Sequence, residues 1–462
     1  MTTLLRTSHQ RGLVVAAAYF ATGALAAAMF VGAPHLPFSG SPLGLVFAIA
    51  IAIAPVGLAL AVTRPLIVPF ALWAALVPFD NLLVIGGFGK IGKPLGAVAA
   101  VAAILTMLIR RRALLPPASV GVWALVAFFA TMSLWWARSP DFGVLILGQT
   151  ASLLIVGAIL SMLPADRLDL GALFCGVVGG GIAASIYAIV LYAVTGHALF
   201  IGEAQRPIDH NHFGAALLLP GLCATVAAIA LRSTPARVAS ALAALLCVAG
   251  IGVSESRGAL IAFGAGELYL IVRSSHRWRL IPFAVVVSVL LAFIPGVFAR
   301  FSDPTTADAS GRYQLWHIGF AAFTHRWFAG HGFGMFMSAY QQAFLEFSQP
   351  ASGAQRIQMP HNILVEFAVE LGIVGLALIL FAWWSQFRTL REITPRDGGW
   401  FDARLAVEAT TLAMFVSALS LDLLTFKYTW LAISAAWILR AAYRSTAPQR
   451  ASNGVLPVSE RI

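Results

Sequence analysis

Charge is what this sequence has least of: Asp, Glu, Lys and Arg make up 11% of 462 residues, while 60% are hydrophobic. No water-soluble fold hides that proportion in one core, so the chain uses lipid as its solvent. Cysteine is scarce as well. Cys175, Cys223 and Cys247 all fall in apolar runs, with no two at a metal-ligand spacing, and they read as small buried hydrophobes. Pairs of the Asp-x-Asp or Glu-x-Asp kind are missing from the segments assigned below to the outer face, which argues against a metal-dependent mechanism. No cofactor and no nucleic-acid partner is expected.

What the sequence has instead is apolar runs of about twenty residues, which is helical in length and too long for barrel strands. They lie near 12–32, 43–62, 65–84, 94–110, 119–137, 143–163, 171–195, 211–231, 237–254, 257–273, 279–297, 362–386, 405–424 and 428–444. The fold expected is therefore all-α, a polytopic transmembrane helical bundle of 12 to 14 spans. The pair between 43 and 84, split only by Thr63-Arg64-Pro65, makes the difference. The first run follows Arg6 and Arg11 as a signal peptide would, but it lacks a cleavage site and reads as the first helix.

Basic residues in short loops are retained on the cytoplasmic side. Placing Arg110-Arg111-Arg112 inside and alternating from there also puts Arg232 with Arg237, Arg273 to Arg279, and Arg388 to Arg404 inside. Both termini come out cytoplasmic in an inner-membrane protein. The chain then divides into N-terminal helices (1–297), a periplasmic loop or lid (298–360), C-terminal helices (361–445) and a cytoplasmic tail (446–462). Within the loop, Trp316, Phe320, Phe323 and Trp327 stand at helical spacing, a stripe that reads first as packing. Gly330-His331-Gly332-Phe333-Gly334 follows no strand and has no Lys-Ser or Lys-Thr ending, so it reads as a tight turn.

Six cations, Lys90, Lys93, Arg138, Arg206, Arg257 and Lys427, sit in short outer loops against the positive-inside bias. An anionic ligand accounts for them, and a guanidinium binds phosphate oxygens in a bidentate way. Arg206, His210, Asn211 and His212 precede one span, Arg257 opens another, and His361 with Asn362 opens a third. Helix N-termini there add a positive field. The competing clue is the acids Glu267, Glu366, Glu370 and Asp422 inside apolar runs, where an unpaired charge costs at least ~3 kcal/mol. They suit proton-relay groups of a transporter, buried partners of the arginines, or neutral acids bonded between helices. The lack of inverted repeats or of paired broken helices in the two halves weighs against a transporter.

His361-Asn362, nine residues, Gly372, two residues and Gly375, within MPHNILVEFAVELGIVG, resembles the bacterial O-antigen ligase and O-antigen polymerase superfamily. Ser256-Arg257-Gly258, DHNHFG from Asp209 to Gly214, and Gly311-Arg312 with Trp316 are similar to family elements in the same order. The resemblance spans about residues 200 to 380. It implies a glycosyltransferase C-like membrane enzyme, metal-independent and inverting, that moves a glycan from undecaprenyl diphosphate to a glycan or lipid A core acceptor among membrane lipids at the periplasmic face. It implies His361, with Asn362, as catalytic and Arg257 and Arg312 as diphosphate-binding. Arg138 and Arg206 are supporting diphosphate candidates by topology, and His210, Asn211, His212 and Glu366 supporting polar groups. Ligase is favoured over polymerase by the His-Asn pattern and the single long outer loop.

A cysteine placed at Ser310 is expected to react with a membrane-impermeant maleimide before the inner membrane is opened; reaction only after permeabilisation would invert the topology.

Overall fold

The computed structural model describes residues 63–80, 84–85, 89–90, 92–195, 209–292, 312–347, 359–394 and 398–446. The runs at 12–32 and 43–62 and the segment around Arg206 lie outside them. The described chain is helical apart from one small antiparallel hairpin, β1 (Val84–Ile85) with β2 (Gly89–Lys90).

The long helices are α2 (Gly92–Arg110), α3 (Ala118–Ser133), α4 (Pro140–Ser161), α5 (Arg167–Thr195), α8 (Thr234–Val253), α9 (Arg257–Arg273), α10 (Arg277–Ala292), α13 (Ile363–Arg391), α14 (Gly398–Ala418) and α15 (Lys427–Thr446). Two short ones, α6 (His210–Ala216) and α7 (Leu218–Ala230), follow one another to make a further membrane-length unit. Each apolar run from residue 94 onward thus coincides with a helix or with this pair. Six of these units are long and apolar enough to cross a membrane, and the chain is a multi-pass membrane protein. Within the run at 65–84 the described helix is α1 (Leu66–Phe79), shorter than the long helices and containing Pro69 and Pro78. Proline lacks the N–H and crowds the preceding turn, and α1 accordingly combines a π-helical turn, an α-helical segment and a 3-10 turn.

One unit is central. The apolar window of α6–α7 is 89% buried, against 33–44% for the other five, because α7 packs against α5, α8, α9 and α14. The outer helices turn Leu108, Ile109, Val144, Leu268, Val272 and Phe381 outwards, as lipid-facing helices do.

Loops assigned by the alternation to a common side lie at a common end. At one end Arg64 pairs with Asp166 at 2.7 Å and Asp169 at 3.1 Å, Arg110 donates to the Thr63 carbonyl, and Arg440 and Arg444 share Glu392. At the other end lie Asp80, His212, Ser256, His361 and Asp422, together with a cap built from α11 (Arg312–His325) and α12 (Phe336–Phe347). The cap has its own small core of Leu315, Ile318, Ala322, Phe336, Tyr340 and Val369. Trp316 and Phe323 of the aromatic stripe pack on that core, whereas Phe320 and Trp327 are exposed. The stripe is therefore half packing and half surface.

α13 is broken. Gly372 has φ +66°, and the helix kinks there into a second helical segment. The backbone groups freed by the break bond to the glycine-rich turn of the cap: His331 N–H to Val369 O (3.0 Å), Gly332 N–H to Glu370 O (2.8 Å), and Ile373 N–H to Trp327 O (2.8 Å). The Glu370 carboxylate accepts from the Gly334 and Phe336 N–H groups at the start of α12. Gly330, Gly332 and Gly334 all have positive φ, which only glycine adopts without strain. This is the tight turn expected of that motif, and it seals a gap in a membrane helix. The sequence did not foresee the break, and no such internal break occurs in α2 to α5.

At Gly372 any Cβ would lie 2.2 Å from the Phe328 carbonyl oxygen. Gly372→Ala is expected to lose at least ~2 kcal/mol from the left-handed conformation alone, with more from the clash, read as a lowered melting temperature in detergent.

Candidate functional site

Three helix starts meet at the capped end, and each is fixed by its own side-chain cap. Asp209 accepts from Asn211 N–H (2.8 Å) and His212 N–H (3.4 Å) to start α6. Ser256 accepts from Ala259 N–H (3.3 Å) to start α9. Asn362 accepts from Leu364 N–H (2.9 Å) and Val365 N–H (3.3 Å) to start α13. Capping is thus the role the structure shows for Asn362.

Small residues bring the three starts together. A Cβ on Gly214 would collide with Ala259 Cβ and Ser254 Oγ, and one on Gly258 would strike Ser420 Oγ. The glycines of DHNHFG and Ser256-Arg257-Gly258 are therefore the points where α6 closes on α9, and α9 on the loop carrying Asp422. Side chains lock the same contact. His210 Nδ1 lies 3.1 Å from the Ser254 carbonyl, so it carries the proton; its Nε2 accepts from the Asn211 amide at 3.2 Å. Ser256 donates to Asn211 Oδ1 at 3.0 Å. His210 and Asn211 tie helices together in this arrangement. His212 faces elsewhere, with Nδ1 2.7 Å from the Tyr428 hydroxyl and its ring stacked on Phe426 at 3.7 Å between centroids.

His361 Nδ1 lies 3.2 Å from Asp422 Oδ2. Asp422 has only 14% of its side chain exposed, and His361 32%. His361 has φ +48°, an uncommon conformation for a side-chain-bearing residue. Two features hold it there: Pro360 restricts the chain before it, and Trp316 Nε1 donates to the Pro360 carbonyl at 3.0 Å. Glu366, one turn into α13, lies within electrostatic reach of Asp422 and Glu370. His212 similarly feels Asp422 and His361.

Of the residues singled out from the sequence, the structure gathers His361, Asn362, Glu366, His210, Asn211, His212 and Arg257 at this end. Arg312 begins α11, four residues before Trp316. Arg138 is exposed just beyond α3, at the same end but with no ion pair among the described residues. Sequence reasoning found Asp422 only as one of several buried acids, and it missed Tyr428 and the positioning bond from Trp316. The remaining acids are structural: Glu370 binds backbone N–H groups, and Glu267 accepts from Thr225 at 2.8 Å. Neither pairs with an arginine among the described residues. No group of three His, Cys, Asp or Glu side chains suited to a metal occurs among the described residues.

Comparison with known proteins bears on this end of the bundle. Residues 242–380 match the model of a family described as O-antigen ligase. The match includes Arg257, Arg312, His361, Asn362, Gly372 and Gly375. A protein of Rickettsia prowazekii (strain Madrid E), provisionally named a polysaccharide ligase, is 22% identical over 250 residues, which is 50% of this chain and 58% of that protein. The chain thus spans less than two thirds of the relative's length. The family match covers the α9 start, the cap, the His361 turn and the break in α13, and with the motifs read from the sequence it places this part of the chain in the O-antigen ligase superfamily.

Proposed function

We propose that the protein transfers a glycan from undecaprenyl diphosphate to a hydroxyl of an acceptor saccharide, such as a lipid A core sugar, at the outer face of the inner membrane. The observation that carries this reading is the His361–Asp422 contact at the junction of the three helix starts. An imidazole titrates near neutrality and suits a general base. The Asp422 carboxylate lies beside Nδ1 without a hydrogen bond to it in this conformation; closing that gap would let it stabilise the imidazolium formed when Nε2 takes a proton, as in serine-protease triads.

In the reaction, the acceptor oxygen bonds to the anomeric carbon as the bond from that carbon to the diphosphate oxygen breaks. The electron pair leaves with the diphosphate, and the hydroxyl proton passes to His361. One in-line displacement inverts the anomeric centre. The diphosphate is already a good leaving group and needs its growing charge stabilised more than it needs an acid. Arg257, at the positive end of α9, supports that role, and Arg312 of the cap is its family-matching counterpart. Arg138 and Arg206 are secondary candidates for the same anion. No metal or cofactor is required by this scheme.

Polymerisation, in which the acceptor is a second repeat unit, uses the same chemistry and differs only in the acceptor. Transport is the reading of another class, and the broken α13 beside Glu366 and Asp422 is the observation in its favour. Uptake of a labelled solute by proteoliposomes in the absence of any glycan transfer would establish it.

His361→Ala should lower transfer by ~10² to 10⁴, assayed with purified protein, lipid-diphosphate glycan and acceptor, and resolved on a gel. Asp422→Asn should also lower kcat, with little change in donor KM. Wild-type turnover by His361→Ala removes this residue from the mechanism.

Arg257→Lys keeps the charge but loses the planar fork. It should weaken donor use about tenfold or more at unchanged protein level; full activity would reduce Arg257 to an interfacial anchor.

A further inference from the structure

We propose that the cap is seated in the membrane: the end of α11 and the turn after it enter the edge of the lipid layer, with Phe320, Trp327 and Phe328 against acyl chains and Arg326 at the phosphates. All four are exposed. Phe320, Trp327 and Phe328 take no part in the cap core, and the transfer chemistry described above uses none of the four. Large aromatics exposed together mark a surface with a partner.

The height of α13 leaves room for that partner to be lipid. Beyond the kink, α13 exposes Ile373, Ala377, Leu380, Phe381 and Trp384 along one side, and the stripe ends at the exposed Arg388 and Arg391. Arg388 lies 4.9 Å above the Trp384 ring, a pairing that suits a headgroup boundary. Before the kink every residue of α13 is buried or half-buried. At ~1.5 Å per residue the stripe from Ile373 to Arg388 is about 22 Å tall, whereas the hydrocarbon of a bilayer measures about 30 Å. About 8 Å of hydrocarbon therefore lies beyond Ile373, and tilt only increases it. The cap turn is bonded where the stripe begins. The Trp327 carbonyl accepts from Ile373 N–H at 2.8 Å, and the Phe328 carbonyl oxygen lies 2.2 Å from where a Cβ on Gly372 would stand. Trp327 and Phe328, packed edge to face at 5.6 Å between centroids, thus continue the apolar stripe upwards.

The exposed side of α11 changes along its length in the same sense. It runs from His317 through Phe320 and Thr324 to Trp327 and Phe328 just beyond the helix, polar at its start and aromatic at its end, as in a helix that descends from water into the interface. Arg326 stands exposed beside Trp327, in no ion pair among the described residues, and its long stem lets the guanidinium reach a lipid phosphate from there. The neighbouring helices match this level. Gly332 and Gly334 of the turn lie against Ala137 and Gly143, and Trp135, two residues before Ala137, is 93% exposed. α3 and α4 also expose Phe128, Phe142, Val144 and Leu145. The aromatic surface of the cap is therefore continuous with the lipid-facing surface of the bundle.

The test places single cysteines at Phe328, Phe320 and His317 of the full-length protein in a Cys175→Ser background, because Cys175 is the exposed native thiol among the three. Leu380→Cys is the lipid-facing reference. Each variant carries a nitroxide label in phosphatidylcholine–phosphatidylglycerol vesicles, and collisions with oxygen, which concentrates in hydrocarbon, are compared with collisions with a water-soluble nickel chelate. The oxygen-to-chelate ratio at Phe328→Cys should be several-fold higher than at His317→Cys and close to that at Leu380→Cys, with Phe320→Cys between. Should Phe328→Cys fail to fold, Trp327→Cys on the same turn decides. A label on that turn as open to the chelate as His317→Cys overturns the membrane seat. So does a label shielded from both reagents, and dipolar broadening that disappears on dilution with unlabelled protein would give this face to a second copy of the chain. No glycan donor or acceptor is present, so the result is independent of the transfer reading.

Discussion

A backbone amide surrounded by hydrocarbon must find a partner within the protein, and the break in α13 is where that demand shapes the rest of the molecule. The kink at Gly372 frees carbonyl and N–H groups of α13 from the helical ladder. The turn from Trp327 to Gly332 supplies their partners, so the cap is fastened to the bundle through main-chain bonds that no side-chain substitution reproduces. Glu370 extends the same logic by accepting from the first N–H groups of α12. The acid that looked out of place in an apolar run is the counterpart of a helix start.

The site is assembled by similar means. Asp209, Ser256 and Asn362 each end a loop and start a helix, and the three starts are drawn together by glycines where a Cβ would collide. Three positive helix ends then face one region, with Arg257 at the first position of α9. The acids Asp422 and Glu366 lie among them.

Much of this was legible in the sequence and some was not. Lipid leaves few choices, so apolar runs of span length became helices, and the alternation of arginine clusters sorted the loops into two ends. At 65–84, Pro69 and Pro78 leave their mark as the π-helical and 3-10 turns of α1. His361-Asn362-x9-Gly372 was visible as a pattern, but its physical content, a cap, a left-handed histidine and a helix break, was not. Asp422 stands far along the chain from His361, and no periodicity announces such a pair. Its only sequence signal was its cost: a carboxylate in an apolar run has to have a use. His210 and Asn211 carried the opposite lesson, being polar residues in a striking motif whose bonds are spent on holding α6 to α9.

The fastening of the cap has a mechanical consequence. The half of α13 before Gly372 is bonded to the glycine-rich turn, packed against the cap core through Val365 and Val369, and held at its entrance by Trp316. Those parts form one stiff lever with His361 at its tip, and the single glycine marks where it joins the remainder of the helix. Because these parts are joined by main-chain bonds and side-chain packing, a shift of α11 or α12 carries His361 with it instead of being absorbed in between.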